Sequence, residues 1–120
     1  MNYSYEEIDH LSVTLPAEGC TVGAVCVMSN YGFVRDCTAG EPIFGKTESL
    51  TGFQAAVQVE GFVKVAYSGS APQTGHQKLV ADGNGGVKLD SAGYAHWIIS
   101  VNKVEQTIIM KLEGGKNNEL

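Results

Sequence analysis

Residues 53–67, "FQAAVQVEGFVKVAY", place two runs of alternating apolar residues on either side of Glu60-Gly61. Alternation with a period of two is the pattern of a β-strand, and glycine accepts the positive φ that a tight turn between antiparallel strands requires. The stretch therefore predicts a β-hairpin with a two-residue turn. Its register pairs Val59 with Phe62, Val57 with Lys64 and Ala55 with Ala66.

Shorter runs of the same kind occur on both sides of this stretch. Residues 24–36, "AVCVMSNYGFVRD", predict a hairpin centred on Asn30 and Tyr31, which would pair Cys26 with Arg35. Residues 78–90, "KLVADGNGGVKLD", predict another hairpin around an Asp-Gly-rich turn. Two longer strands, residues 96–101 and 107–112, close the chain and are joined near Asn102-Lys103.

Three of these segments share the order glycine, any residue, valine, basic residue. The pattern occurs at residues 32–35, 61–64 and 85–88. In each case we interpret the glycine as relieving a turn and the valine as opening the returning strand, because β-branched side chains suit a pleated sheet. The recurrence indicates shared hairpin chemistry.

Many short strands with almost no helix predict an all-β fold. Both faces of residues 55–67 carry apolar side chains, whereas an antiparallel sheet with one face in water alternates more cleanly. We therefore expect a small antiparallel β-barrel or sandwich built from hairpins, with coverage by another subunit as the alternative. Residues 11–113 form the single domain, residues 1–10 an irregular N-terminal arm and residues 114–120 a flexible C-terminal tail. Residues 68–77 read as a polar loop.

The composition argues against several classes of partner. The chain of 120 residues has 8 basic and 13 acidic residues, for a net charge of −5, which is the wrong sign for binding phosphates. No apolar run reaches the roughly 20 residues that span a bilayer, and the N-terminus has neither a basic nor an apolar leader segment. We expect no nucleic acid partner, no membrane and no export.

Local motifs for chemistry are absent. The glycine-rich residues 80–90 have Asp82 and Asn84 where a calcium loop begins, but Gly86 stands at the third ligand position and no distal glutamate follows. The same run leads into a strand rather than the helix of a phosphate loop. His10, His76 and His96 form no metal-binding or general-base motif. Cys20, Cys26 and Cys37 lack metal-ligand spacing and are expected to be reduced. We therefore predict no catalytic residue, no cofactor and no metal.

The order of these elements resembles the small capsid cement, or decoration, proteins of tailed phages and prophages. The shared elements are a Gly-x-x-Val step before the first hairpin, residues 38–42 "TAGEP", residues 59–63 "VEGFV", the Asp-Gly-x-Gly hairpin and a final apolar strand ending at Leu112. The resemblance covers roughly residues 11–113.

Membership of that family would imply a β domain that binds the major capsid protein on the outside of an icosahedral shell, as a homotrimer at local three-fold positions. Its location would be the virion exterior, and the host cytoplasm during assembly. The N-terminal arm would then reach a neighbouring subunit and add a strand to its sheet edge. The residues assigned to this contact are Tyr3, Tyr5, Ile8, Leu11 and Val13.

Two other functions stay open at this point. The first is a virion or prophage β module that binds a carbohydrate or host-surface ligand through the aromatic side chains Tyr31, Tyr67, Tyr94 and Trp97. The second is a small hydrolase with a carboxylate pair formed in space, for which the candidates are Asp9, Asp36, Asp82 and Asp90.

Overall fold

The structure, a computed structural model, describes residues 11–113. This part of the chain forms nine strands and no helix. The strands are β1 (Leu11–Pro16), β2 (Val25–Met28), β3 (Val34–Asp36), β4 (Gly45–Thr51), β5 (Gln54–Ala66), β6 (Gly75–Ala81), β7 (Val87–Leu89), β8 (Tyr94–Asn102) and β9 (Thr107–Glu113). All pairs of these strands are antiparallel, and together they make one sheet that curls into a half-barrel. The prediction of an all-β fold is confirmed.

The long strand β5 corrects the prediction of a hairpin at residues 53–67. The chain does not reverse at Glu60-Gly61 but continues as one strand of 13 residues. Gly61 does adopt a positive φ, of 97°, yet it does so inside the strand. The predicted partners are therefore wrong: Val57 pairs with Val13 and Thr47 from other strands, and Lys64, which was expected opposite Val57, pairs with Ile109.

The strand β5 belongs to two groups of strands. Its first part, residues 54–58, lies between β1 and β4, and β2 and β3 extend the sheet beyond β4. Its second part, residues 60–66, pairs with β9, and β8, β6 and β7 follow in that order. We call these groups the N-terminal half and the C-terminal half. Gly61, with its positive φ, stands next to the junction between them.

Each half folds its outer strand back toward an earlier part of the chain. In the N-terminal half, a parallel bridge joins Val34 of β3 to Ala17, just after β1. In the C-terminal half, a parallel bridge joins Val87 of β7 to Tyr67, just after β5. The N–H of Val25 donates to the carbonyl of Gly85 at 3.1 Å and so links the two halves. These contacts accompany the curling of the single sheet into a half-barrel.

The larger hydrophobic core is shared between the halves. It contains Val25 and Cys37 from the N-terminal half together with large aliphatic side chains from the C-terminal half, among them Leu79, Ile98 and Met110. A smaller cluster lies within the N-terminal half and consists of Cys26, Val34, Ala55 and Val57. Because the larger cluster draws on both halves, burial couples them into one hydrophobic unit.

The remaining local predictions have mixed outcomes. The hairpin at residues 78–90 is confirmed as β6 and β7, and the two closing strands are confirmed as β8 and β9. The hairpin at residues 24–36 exists, but its register is shifted by one residue, so that Cys26 pairs with Asp36 instead of Arg35. The predicted loop at residues 68–77 is too long, because β6 already begins at Gly75 and recruits polar residues into the sheet.

Candidate functional site

The described aspartates that were candidates for a catalytic pair accept hydrogen bonds from residues of turns and loops. Asp36 accepts hydrogen bonds from the N–H and hydroxyl of Thr21, at 2.9 and 2.7 Å. Asp82 accepts the hydroxyl of Ser68 and two N–H groups of its own turn. Asp90 accepts the N–H of Ala92 at 2.8 Å. Each carboxylate therefore holds a turn or a loop in place, and Asp9 lies outside the described residues.

The cysteines are three free thiols, all in the N-terminal half. Burial raises the pKa of Cys26 to about 11 and that of Cys37 to about 12. Burial also raises the pKa of Cys20, although the hydroxyl of Thr47 partly opposes this for both Cys20 and Cys26. Since the thiolate is the reactive form, these thiols stay protonated at neutral pH and pack as small apolar side chains.

A hollow of about 440 Å³ lies between the β1–β2 connection and the β6–β7 turn. Its walls include glycine backbone, Asp36 and Cys37. Asp36 already accepts two hydrogen bonds from Thr21, and burial raises the pKa of the Cys37 thiol to about 12. Among residues 11–113, no three His, Cys, Asp or Glu side chains are grouped so as to hold a metal ion.

The strand β1 forms an edge of the sheet. It pairs only with β5, and no described strand pairs with its other edge. Its side chains alternate between exposed and half-buried, and Leu11 is 47% exposed. Phe53, which is 85% exposed, lies at the far end of β1, where its carbonyl accepts the N–H of Ala17 at 2.8 Å. We call β1 with its unpaired backbone the β1 edge.

Two of the five predicted arm residues lie in the part of the chain that the structure describes. Leu11 and Val13 lie in β1, where they pair with Glu60 and Val57. Tyr3, Tyr5 and Ile8 lie outside the described residues. The chain enters the domain at Leu11 opposite Glu60, and β9 reaches its last residue, Glu113, opposite the same Glu60. Leu11 and Glu113 therefore both lie next to Glu60 of β5.

The aromatic candidates for ligand binding have different environments. Tyr67 is 6% exposed and belongs to the core, so it is not available for stacking, and that prediction is wrong. Tyr31 is fully accessible at the β2–β3 turn, and Tyr94 is half-buried. Trp97 is 49% exposed and stacks on His76, with ring centroids 4.6 Å apart.

The pairing of His76 with Trp97 was not predicted from the sequence. His76 was assigned to a loop, although it is the second residue of β6, directly opposite Trp97 in β8. The alternation of His76 and Lys78 with Gln77 and Leu79 is a period-two signal that would have extended the strand. The alternation was not recognised because these residues are mostly polar. The solvent-facing side of a strand needs no apolar side chains, so such a strand lacks a clear apolar pattern.

No protein-family model matches this chain, and comparison with curated proteins finds no similar sequence. Within residues 11–113 there is no helix with the length and apolar character that a membrane span requires.

Proposed function

We propose that this protein is a non-enzymatic decoration protein that binds the exterior of an icosahedral phage head. The β1 edge carries the proposal, because it is an accessible strand edge and residues 1–10 directly precede it in the sequence. An exposed strand edge presents unpaired N–H and C=O groups and is a template for pairing with another chain. Natural proteins cover or charge such edges, and an uncovered one favours a partner.

In the proposed contact, the arm adds as a strand to the edge of a sheet in the major capsid protein. Main-chain hydrogen bonds would provide affinity, and side chains pointing alternately from the strand would provide specificity. Leu11 and Val13 extend from β1, and Tyr3, Tyr5 and Ile8 precede them in the arm. Tyrosine is among the residues that dominate binding energy at protein interfaces, because its large ring is ordered at low entropic cost.

Several weak contacts would then act together on the shell. We assign the protein to homotrimers at local three-fold positions, where three arms engage neighbouring capsid subunits. Linked binding events raise overall affinity by orders of magnitude without any new contact. The net charge of −5 suits an outer surface away from the packaged genome. The proposed location is the virion exterior, after synthesis in the host cytoplasm, and binding to the shell requires no cofactor.

The direct test is uptake of the purified protein by undecorated procapsids and expanded shells of the phage or prophage that encodes it. We expect saturable uptake with three copies at each local three-fold position. A variant without residues 1–10 should remain folded and lose most of its occupancy, whereas a variant without residues 114–120 serves as the matched control and should bind normally. Equal occupancy by both truncated forms would contradict a role for the arm.

A pair of point variants separates the β1 edge from other exposed edges. Leu11→Asp places a charge on β1, and Leu89→Asp places the same charge on the edge strand β7, where Leu89 is 38% exposed. Only Leu11→Asp should reduce occupancy of shells. If Leu89→Asp reduces it instead, the shell contact lies on the C-terminal half and the proposed arm mechanism is wrong.

A further inference from the structure

The outer face of the C-terminal half carries a flat aromatic platform. Trp97 lies opposite His76 on the neighbouring strand, and the two ring planes are 21° apart. The residues on either side of Trp97, His96 and Ile98, are 3% and 2% exposed. Strand alternation therefore points the indole away from the core. Stacking on His76 fixes the orientation of the indole, while half of the Trp97 surface stays in contact with solvent.

A groove of about 350 Å³ adjoins this platform on the side of His76 that faces β7, and Trp97 is not part of its lining. It is lined by His76, Gln77, Lys78, Leu89, Asp90 and Ser91. Within the described part of the chain, the side chains of Gln77, Lys78 and Ser91 form no hydrogen bond or ion pair. Asp90 uses one carboxylate oxygen to hold the N–H of Ala92 and keeps the other oxygen as an acceptor. The groove thus offers both donors and acceptors beside an aromatic surface.

These groups match one class of ligand better than others. The carboxylate of Asp90 opposes a phosphate or another anion, and the groove lining contains one lysine, Lys78, and no arginine. A purely apolar ligand would leave the polar side chains of the groove unpaired at a cost. A neutral pyranose has an apolar C–H face for the aromatic ring and hydroxyl groups that both donate and accept hydrogen bonds.

We propose that Trp97, His76 and the groove beside them bind a neutral pyranose sugar. The sugar ring packs against the side of His76 that faces the groove, Trp97 supports His76 from behind, and the sugar hydroxyl groups reach Lys78 and Asp90. The site lies on the C-terminal half, whereas shell attachment is assigned to the β1 edge on the N-terminal half. A protein held on a shell through β1 would therefore present a second binding surface, and each role is tested separately.

Trp97 provides its own readout, because it is the single tryptophan of the chain. The full-length protein is titrated with cellobiose, lactose, maltose and N,N′-diacetylchitobiose, each up to about 50 mM, with glycerol as the control for solvent effects. We expect a saturable change in Trp97 emission with at least one disaccharide and a linear or absent response to glycerol. Absence of a saturable response to all four sugars would overturn the proposal.

Variants then locate the binding site. His76→Ala and Asp90→Asn keep the fluorophore and should each weaken the responding sugar about tenfold. Phe53→Ala removes another exposed aromatic ring and should leave binding unchanged. Calorimetry with Trp97→Ala should show no binding, with circular dichroism confirming the fold. Sugar binding that survives Trp97→Ala, or that is lost equally in Phe53→Ala, would show that the platform is not the site.

Discussion

The two halves of the sheet are both antiparallel, but they differ in the size of the side chains that they bury. Each half contains two hairpins between consecutive strands, but the core side chains of the C-terminal half are large, with Leu79, Ile98, Ile108 and Met110 nearly inaccessible. The N-terminal half has shorter strands outside β5, and its own cluster contains small residues such as Cys26 and Ala55. Since buried apolar area sets the hydrophobic contribution, the C-terminal half should supply more of the stability.

The two halves also differ in the ion pairs at their surfaces. In the N-terminal half, Arg35 and Glu41 form a bidentate ion pair at 2.9 and 2.8 Å, and Glu41 also accepts the N–H of Thr38. In the C-terminal half, the ion pair between Lys64 and Glu105 is a single contact of 3.0 Å with both side chains about half exposed. The ion pair of the N-terminal half thus makes more hydrogen bonds than that of the C-terminal half. The following predictions test this contrast.

The largest expected effect comes from the core of the C-terminal half. Ile98→Ala removes most of a buried aliphatic side chain and should lower the free energy of unfolding by about 3 kcal/mol. Val57→Ala in the N-terminal half removes only two methyl groups and should cost about 2 kcal/mol. Urea unfolding followed by circular dichroism measures both values. A larger loss in Val57→Ala would reverse the assignment of the main core.

The junction between the halves should be the next most sensitive position. Gly61 has a φ of 97°, which side chains with a Cβ atom adopt only under strain. Gly61→Ala should therefore cost about 1 to 2 kcal/mol, and Gly61→Asn less, because asparagine tolerates this conformation better. Glu60→Ala is the control at the neighbouring exposed position. Similar midpoints for Gly61→Ala and Glu60→Ala in thermal unfolding would show that the bend is not required.

The ion pair of the N-terminal half predicts a dependence of stability on pH. The Arg35 guanidinium and the N–H of Thr38 lower the pKa of Glu41 from 4.5 to about 2. Folding favours the carboxylate, so its contribution is present above pH 4.5 and is lost as the pH falls toward 2. Glu41→Gln should lower stability at pH 7 by about 1 kcal/mol or less, because solvent screens the pair.

The control for this experiment is Glu105→Gln in the C-terminal half. Lys64 lowers the pKa of Glu105, but the exposed pair should contribute less than the bidentate pair of Glu41. The difference in unfolding free energy between wild type and Glu41→Gln should therefore shrink across pH 4.5 to 2, while Glu105→Gln changes little. A difference for Glu41→Gln that is constant with pH would exclude this ionisation as its cause.

The smallest effect concerns local opening of the N-terminal half. Cys20 is partly accessible, whereas Cys26 and Cys37 are buried and protonated. Labelling with a thiol reagent at pH 8 should modify Cys20 first and the other two only when the N-terminal half opens. In Cys20→Ser the fast phase should disappear. If the buried thiols react as fast as Cys20, the N-terminal half opens far more readily than its packing indicates.

Three of the four hairpins between consecutive strands of residues 11–113 were predicted, but the tightest, between β4 and β5 with Thr51 opposite Gln54, was missed. The β6–β7 and β8–β9 pairs were identified because their turns contain Asp82-Gly83 and Asn102, whose side chains hold backbone N–H groups at the turn. The candidate site was only partly accessible to such reasoning. Leu11 and Val13 were assigned to a strand-like segment, but Trp97 and His76 meet across strands about 20 residues apart, and no local pattern reports that register.

The shared pattern of glycine, any residue, valine and basic residue determines the backbone conformation at the glycine but not which strands pair. Gly32, Gly61 and Gly85 adopt φ values of 91°, 97° and 93°, so the same local sequence produces the same local conformation three times. At Gly32 and Gly85 the chain returns beside itself, but at Gly61 it continues as one strand. Local chemistry sets the backbone conformation at each glycine, since only steric contacts between neighbouring atoms are involved. Whether that conformation becomes a turn or a bend within a strand depends on which distant strands pair on either side of the glycine. At Gly61, the backbone hydrogen bonds of β5 are satisfied by pairing with β1, β4 and β9, so the chain does not reverse there.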